Sequence, residues 1–305
     1  MTQPILVTGA TGHQGGALVR ALLNHQNPPM ILALTRSTSS ATAQKLASSS
    51  PCIKLVQGSL NNVAEVFDTA TKIAQRPIWG VFSVQPAQGM GIPNEAEQGK
   101  GLVDESVSRG VKHFVYASVD RGGDEKSWTN PTNIPHFQTK HEIELHLREK
   151  AESSGMGYTI LRPVAFMDNL APGFQARVFL AALQATFAPG KTLQWIAVRD
   201  IGIVGAKAFE EPEKFNGKAI GLAGDDLTID QIGEVFKETT GTALTPTFQI
   251  FGKALKQFVA EVRLMVDWFG EEGYGVDIGA LKQIHPDLID LKTWIVEDST
   301  FTTKA

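Results

Sequence analysis

Residues 5–16 read Ile5-Leu6-Val7-Thr8-Gly9-Ala10-Thr11-Gly12-His13-Gln14-Gly15-Gly16, an apolar run that breaks into a glycine-rich turn. Beyond it Ala17, Leu18, Ala21 and Leu22 recur at helical spacing, so the stretch reads as strand, turn, helix. Gly9 permits the tight turn, Gly12 a close approach of backbone to a pyrophosphate, and Gly15 close packing of helix on strand. Bare amides at the helix start, with the helix dipole behind them, form an anion site spanning Gly9, Thr11, Gly12, His13, Gln14 and Gly15. Glycines also mark ordinary turns. The strand-to-helix context is what turns this triplet into a dinucleotide-binding expectation.

A second apolar strand, Met30 to Thr35, ends in Arg36-Ser37-Thr38. In an NAD-binding fold an acid about 20 residues beyond the last fingerprint glycine holds the adenosine ribose. Arg36 occupies that place. A guanidinium binds a 2′-phosphate bidentately where an acid repels it, which shifts the expected cofactor to NADP(H). The competing reading is a solvated arginine at a strand end.

The alternation continues with strands at Ile53 to Gln57, Trp79 to Val84, His113 to Ser118 and Tyr158 to Leu161, separated by helical stretches at Val63 to Ile73 and Glu95 to Arg109. Six such strands predict an α/β fold: a doubly wound parallel sheet of Rossmann type with right-handed crossovers. Ligands lie across the carboxyl ends of such strands. Gly58, Ser59, Ser83, Val84, Gln85, Ser118, Pro163, Val164, Ala165 and Phe166 follow strand ends and are placed on that rim. Residues 1–165 are read as the cofactor domain and 166–305 as a smaller, mostly helical C-terminal lobe for substrate or partner, with about 198–222 packing back on the first domain. In the second part a helix from Val198 to Phe209, a late strand at Lys218 to Leu222, a helix from Thr228 to Thr239 capped by Thr228 or Asp226, and a long amphipathic helix from Gly252 to Phe269 are expected. Phe166, Met167, Phe174, Phe179, Phe187 and Trp195 line an apolar pocket or form plain core, and Trp268 and Phe269 a lid or core.

Composition narrows the function. In 305 residues, 28 Lys and Arg stand against 32 Asp and Glu, a formal net charge of -4, so no footprint for nucleic acid or an acidic membrane is visible. Cys52 is alone, which excludes an internal disulfide and a Cys-rich metal site and suggests a reducing compartment. No stretch approaches the roughly 18 apolar residues of a membrane span. A soluble cytoplasmic protein is expected. His136, His141 and His146 recur every five residues, which scatters them around a helix instead of gathering metal ligands, so no metal is expected. Neither Gly-x-Ser-x-Gly nor His-Glu-x-x-His occurs.

Thr8 to Gly16, the Arg36 strand end, Gln98-Gly99-Lys100 and Pro135-His136-Phe137-Gln138-Thr139-Lys140 together resemble the NmrA-like family, atypical members of the extended short-chain dehydrogenase/reductase superfamily, over about residues 4 to 240. The resemblance implies an NADP(H)-binding Rossmann body with pyrophosphate on Gly9 to Gly15, the 2′-phosphate on Arg36 and the adenine-to-ribose side along Ser83 to Gln85. Lys100 and Lys140 would lie beside the cofactor and Pro163 to Phe166 near the nicotinamide. Active short-chain dehydrogenases carry a Tyr-x-x-x-Lys pair; here His136 holds the tyrosine place, with Lys140 four residues on and Ser118 in the place of the substrate-orienting serine. An imidazole donates or accepts a proton near neutral pH, although an adjacent ammonium favours its neutral form.

Two roles are open: an NADPH-dependent reductase of a small apolar carbonyl or enone, in which Ser118 and His136 serve the substrate oxygen, or a non-catalytic redox sensor acting through a protein partner, for which a nuclear location also fits. A sugar-nucleotide epimerase normally requires the missing tyrosine. Direct nucleic-acid and membrane partners are not expected, and an oligomer is left open.

Overall fold

In a computed structural model, residues 3–85, 94–248, 252 and 259–303 are described. The first half alternates as expected: β1 Pro4–Val7, α1 His13–Leu23, β2 Met30–Thr35, α2 Ala41–Ser48, β3 Ile53–Gln57, α3 Val63–Ala74, β4 Gly80–Ser83, α4 Glu95–Ser108 and β5 His113–Ala117. A short α5, Asp124–Ser127, precedes the long α6, Pro135–Ser154, and β6 spans Gly157–Pro163. Strands β1 to β6 pair in parallel, with Ile5 beside both Ile31 and Gly80. Every residue of β1, β4 and β5 is buried, which is why these strands read as unbroken apolar runs instead of alternating ones.

Seven strands lie in the order β3-β2-β1-β4-β5-β6-β9, the last being Lys218–Leu222. Strand order reverses between β1 and β4, and the crevice at that switch point is where an open α/β sheet receives its ligand.

One compact unit holds residues 1–118, 139–162 and 201–220. Within it the part of α8 (Val198–Glu210) from Ile201 onward runs against α1: a Cβ on Gly202 would stand 2.4 Å from the Ala17 carbonyl carbon, so only a glycine lets the two backbones touch. The other unit holds residues 119–138, 163–200 and 221–305. Its helices include α7 Phe174–Gln184, α10 Ile229–Thr240, α11 Ala260–Glu271, α12 Ile278–Ile284 and α13 Leu291–Glu297; the four-residue α9, Pro212–Phe215, belongs to the first unit. Thr228 starts α10 with a capping box, its hydroxyl accepting from the Gln231 amide.

One finding differs from the sequence expectation in this second unit. A three-stranded sheet, β10 Asp225–Leu227, β8 Leu193–Ile196 and β7 Ala165–Phe166, sits among the helices; strands of two to four residues are too short to show a period. Of the two readings of the aromatic set, core holds for Met167, Trp195, Trp268 and Phe269, with Phe179 and Phe187 packed against them, while Phe174 is 57% exposed. Of the long helix expected from Gly252, residues 253–258 lie outside the described residues, and α11 begins at Ala260.

Candidate functional site

The turn after β1 is built as its glycines require. Gly9 has φ +59°, a left-handed conformation, and accepts the Gly12 amide at 2.8 Å. A Cβ on Gly15 would lie 2.3 Å from the Gly9 oxygen and 2.8 Å from that of Thr8. Helix α1 therefore starts directly against the end of β1. No side chain caps it, so its first amides face outward past Thr11, Gly12 and His13, which are exposed, with Gln14 half-buried beside them.

Thr8 fixes this turn to the neighbouring strand. Its hydroxyl donates to the Val84 oxygen at 2.8 Å and accepts the Val84 amide at 2.7 Å. Ser83 and Gln85 are buried beside it, the Gln85 amide donating to Ser83 Oγ at 3.0 Å. The ends of β1 and β4 are thus clamped at the switch point.

A cleft of about 450 Å³ opens next to the turn. Thr8, Gly9 and Thr11 form one wall, Arg36, Ser37 and Ser40 another, and Gly58 and Ser59 a third. No Asp or Glu lines it among the described residues. Ser40 caps α2, accepting the Ala43 amide at 3.3 Å while its own proton goes to the Ser37 oxygen at 3.1 Å. Gln44 donates to the Thr38 oxygen at 2.6 Å, so the loop that carries Arg36 is held in place before any ligand arrives. The sequence reading brought Gly9, Thr11, Arg36, Gly58 and Ser59 to this cleft; it named Gln98 only within a motif of the family resemblance and overlooked Ser40 and Asn61, of which Ser40, ahead of a helical pattern, carried a recognisable signal.

The remaining candidates are engaged elsewhere. Lys100 meets Glu142 at 2.8 Å, half in solvent. Ser118, almost fully buried, donates to Glu144 Oε1, and Glu144 in turn holds Arg162 through Nη2 at 2.7 Å and Nε at 3.2 Å; both ions are wholly buried. The serine's single proton is thereby given to a carboxylate. Lys140 places its ammonium 3.0 Å from Glu95 Oε1, and Thr139 donates to the other oxygen of the same carboxylate at 3.0 Å. His136 meets Glu261 through Nδ1 at 2.5 Å and stands edge-on to Phe137. The sequence reading named none of Glu95, Glu144 and Glu261 as a site residue, Glu95 entering it only as the start of a helix. Pro163, Val164 and Ala165 are buried, Phe166 half-buried, and the Val164 amide donates to the Leu222 oxygen at 3.2 Å. His146 meets Asp104 at 2.8 Å. Among the described residues no group of three or more His, Cys, Asp or Glu could hold a metal ion, and no helix is long and apolar enough to cross a membrane.

A parallel sheet that reverses at β1 and β4, with a glycine turn opening onto a carboxylate-free cleft there, defines a Rossmann-type α/β protein. The sequence model of the NmrA-like family matches residues 1–294, and the chain belongs to that family. An NmrA-like family domain-containing oxidoreductase of Aspergillus hancockii is 28% identical over 261 residues, 79% of this chain and 73% of its own. Among solved structures, NmrA, a negative transcriptional regulator in complex with NADP, superposes with a TM-score of 0.71 at 20% identity, covering 97% of this chain and 95% of its own. The NADPH-dependent quinone oxidoreductase QOR2 of Escherichia coli, solved with NADPH, gives 0.72 at 22% identity, covering 96% and 98%.

Proposed function

We propose that the chain binds NADP(H) in the cleft beside the glycine turn and reduces a small apolar carbonyl or enone with it. One observation carries the cofactor: a cation, Arg36, shares the cleft with the Ser37 and Ser40 hydroxyls and with no carboxylate, the chemistry that accepts a 2′-phosphate and that an NAD-specific acid would reverse. The amides at the start of α1 take the pyrophosphate. When bound, the coenzyme supplies the hydride. His136 is the residue of this chain that exchanges the proton, Lys140 holds the coenzyme's ribose, and Ser118, fixed by Glu144, shapes the reaction centre. The relative named as an oxidoreductase supports the reductase reading.

A non-catalytic NADP(H) sensor is the second reading, favoured by one feature: Ser118, His136 and Lys140 are each occupied by a carboxylate. A sensor must bind oxidised and reduced coenzyme unequally, because equal affinity shifts no population.

Fluorescence titration with NADPH, NADP⁺ and NADH, followed by NADPH consumption over aldehydes, quinones and enones, tests both. Arg36→Glu should weaken NADPH by at least about 30-fold, the scale of a charge-assisted hydrogen-bonded pair, and leave NADH nearly unchanged. Equal losses for both coenzymes would remove Arg36 from the 2′-phosphate. Consumption with no carbonyl or enone, joined to unequal affinity for NADP⁺ and NADPH, would move the assignment to the sensor.

A further inference from the structure

The carboxylate behind His136 sits where a solvated acid would not. Glu261 lies in the first turn of α11, a place where an acid suits the helix dipole while its side chain stays in water. Here the side chain is only 11% exposed and meets Nδ1 of His136 at 2.5 Å. Seven residues on, two helical turns along the same face, Trp268 packs edge-on against Phe137 with ring centroids 5.5 Å apart. One face of α11 therefore holds two consecutive residues at the start of α6. Phe137 and Trp268 are both core residues, so packing sets the register that carries Glu261 to the imidazole. Burying a carboxylate costs free energy that such a pair does little more than offset, and an apolar residue at 261 would extend the face made by Met265 and Trp268. Stability alone does not account for a charge there.

An ionised carboxylate only accepts, so the contact puts the imidazole proton on Nδ1 and makes Nε2 the bare nitrogen of the neutral ring. A serine in such a contact has given away its one proton. An imidazole has a second nitrogen, which can exchange a proton with a ligand while the carboxylate fixes the ring's orientation and offsets the charge of the doubly protonated form. The His136 side chain is 34% exposed, so it is open to a ligand in a way that Glu261 is not.

We propose that Glu261 is the positioning residue of His136: it fixes the Nδ1–H tautomer and so makes Nε2 the atom that gives its proton to the substrate oxygen. This rests on the reductase reading above and adds to it the residue that sets the imidazole's tautomer and direction. In the step itself the Nε2–H bond breaks and an O–H bond forms on the substrate, whose carbon takes the hydride that the coenzyme supplies. The ring is left neutral, its remaining proton on Nδ1 and facing Glu261.

Two measurements on the full chain test this. The first needs no substrate: ¹⁵N–¹H correlation NMR of the histidine rings, in which the His136 signals are those that vanish in His136→Ala. As pH rises, the ring should lose its proton from Nε2 and keep Nδ1–H, the reverse of the preference of a histidine in water, and Glu261→Ala should restore Nε2–H. The second is NADPH consumption over aldehydes, quinones and enones. There Glu261→Ala should lower kcat at least about tenfold, the lower end for a partner that orients a working side chain, and leave the Kd for NADPH within about twofold. Glu261→Asp should recover part of the loss. A neutral ring with Nε2–H in the unaltered protein overturns the proposal without needing any variant to fold, as does a Glu261→Ala protein with full kcat. If no carbonyl or enone is reduced, the reductase reading falls and the proton step falls with it; if turnover is present but the neutral ring carries Nε2–H, only the role of Glu261 falls.

Discussion

His136 and Lys140 stand one turn apart on α6, yet each ends at its own carboxylate, Glu261 at 2.5 Å and Glu95 at 3.0 Å. The sequence suggested an ammonium acting directly on an imidazole. With Glu95 3.0 Å away, most of the Lys140 charge is offset locally, and the Lys140 side chain is only 16% exposed, so the pair is less screened than a surface one. Nδ1 of His136 lies against an oxygen, so it carries the proton in that contact. If His136 exchanges the proton with substrate, His136→Ala should lower kcat by at least about 100-fold, the lower end for general acid–base catalysis, and leave the Kd for NADPH within about twofold. A rate equal to that of the unaltered protein would end its assignment as proton donor. Arg36 was legible because its place is counted along one contiguous unit. Glu261 was not, since it lies 125 residues from His136 and an isolated glutamate reads as solvated surface until the fold brings it to its partner.

At the level of elements, the glycine turn shows how a local pattern and a tertiary contact coincide. Each glycine in it could be assigned from spacing alone, because strand, turn and helix are consecutive and their geometry is fixed by the fold type. The clamp that Thr8 makes on Val84 was hidden in the same stretch: it joins residues 76 positions apart, and a threonine ending an apolar strand has no special signature. The sheet's strands were legible as apolar runs bounded by breaks, whereas β7, β8 and β10, of two to four residues, offered no period to detect. The buried Glu144–Arg162 pair was equally silent, since each partner looks like an ordinary surface charge on its own element. Gly15→Ala tests the turn. Its methyl would fall 2.3 Å from the Gly9 oxygen, and backbone on both sides prevents a side chain from yielding. The variant should lose about 2 kcal/mol or more in thermal or urea unfolding and bind NADPH at least about tenfold more weakly, because the α1 amides are displaced from their line of approach. A variant with unchanged melting and unchanged affinity would show that α1 does not need that approach.

For the molecule as a whole, stability should fall on the acid side of neutrality for a reason seated far from the cleft. His113 opens β5 with 2% of its surface exposed. Thr159 Oγ1 lies 2.9 Å from its Nε2 and donates its own proton to the Phe215 oxygen at 3.1 Å, so the imidazole is the donor through Nε2. Burial pushes its pKa down from 6.5 to about 4. A histidine with a depressed folded pKa binds more protons unfolded than folded, so its neutral form supports the fold above about pH 6.5, and that support drains away as pH falls toward 4. A displacement of this size corresponds to about 3 kcal/mol, a large share of an ordinary domain's stability. Asp225, whose pKa burial raises, acts in the opposite sense, because a carboxyl that stays protonated more readily in the fold favours the fold as pH falls. Its direction cannot produce an acid loss. Urea unfolding at pH 7, 6 and 5 should therefore show a steady fall, and His113→Gln, which keeps an N–H donor but takes no charge, should flatten the slope over that range while lowering stability at pH 7. The same slope in the variant would place the acid sensitivity in other groups and leave the buried His113 without a part in it.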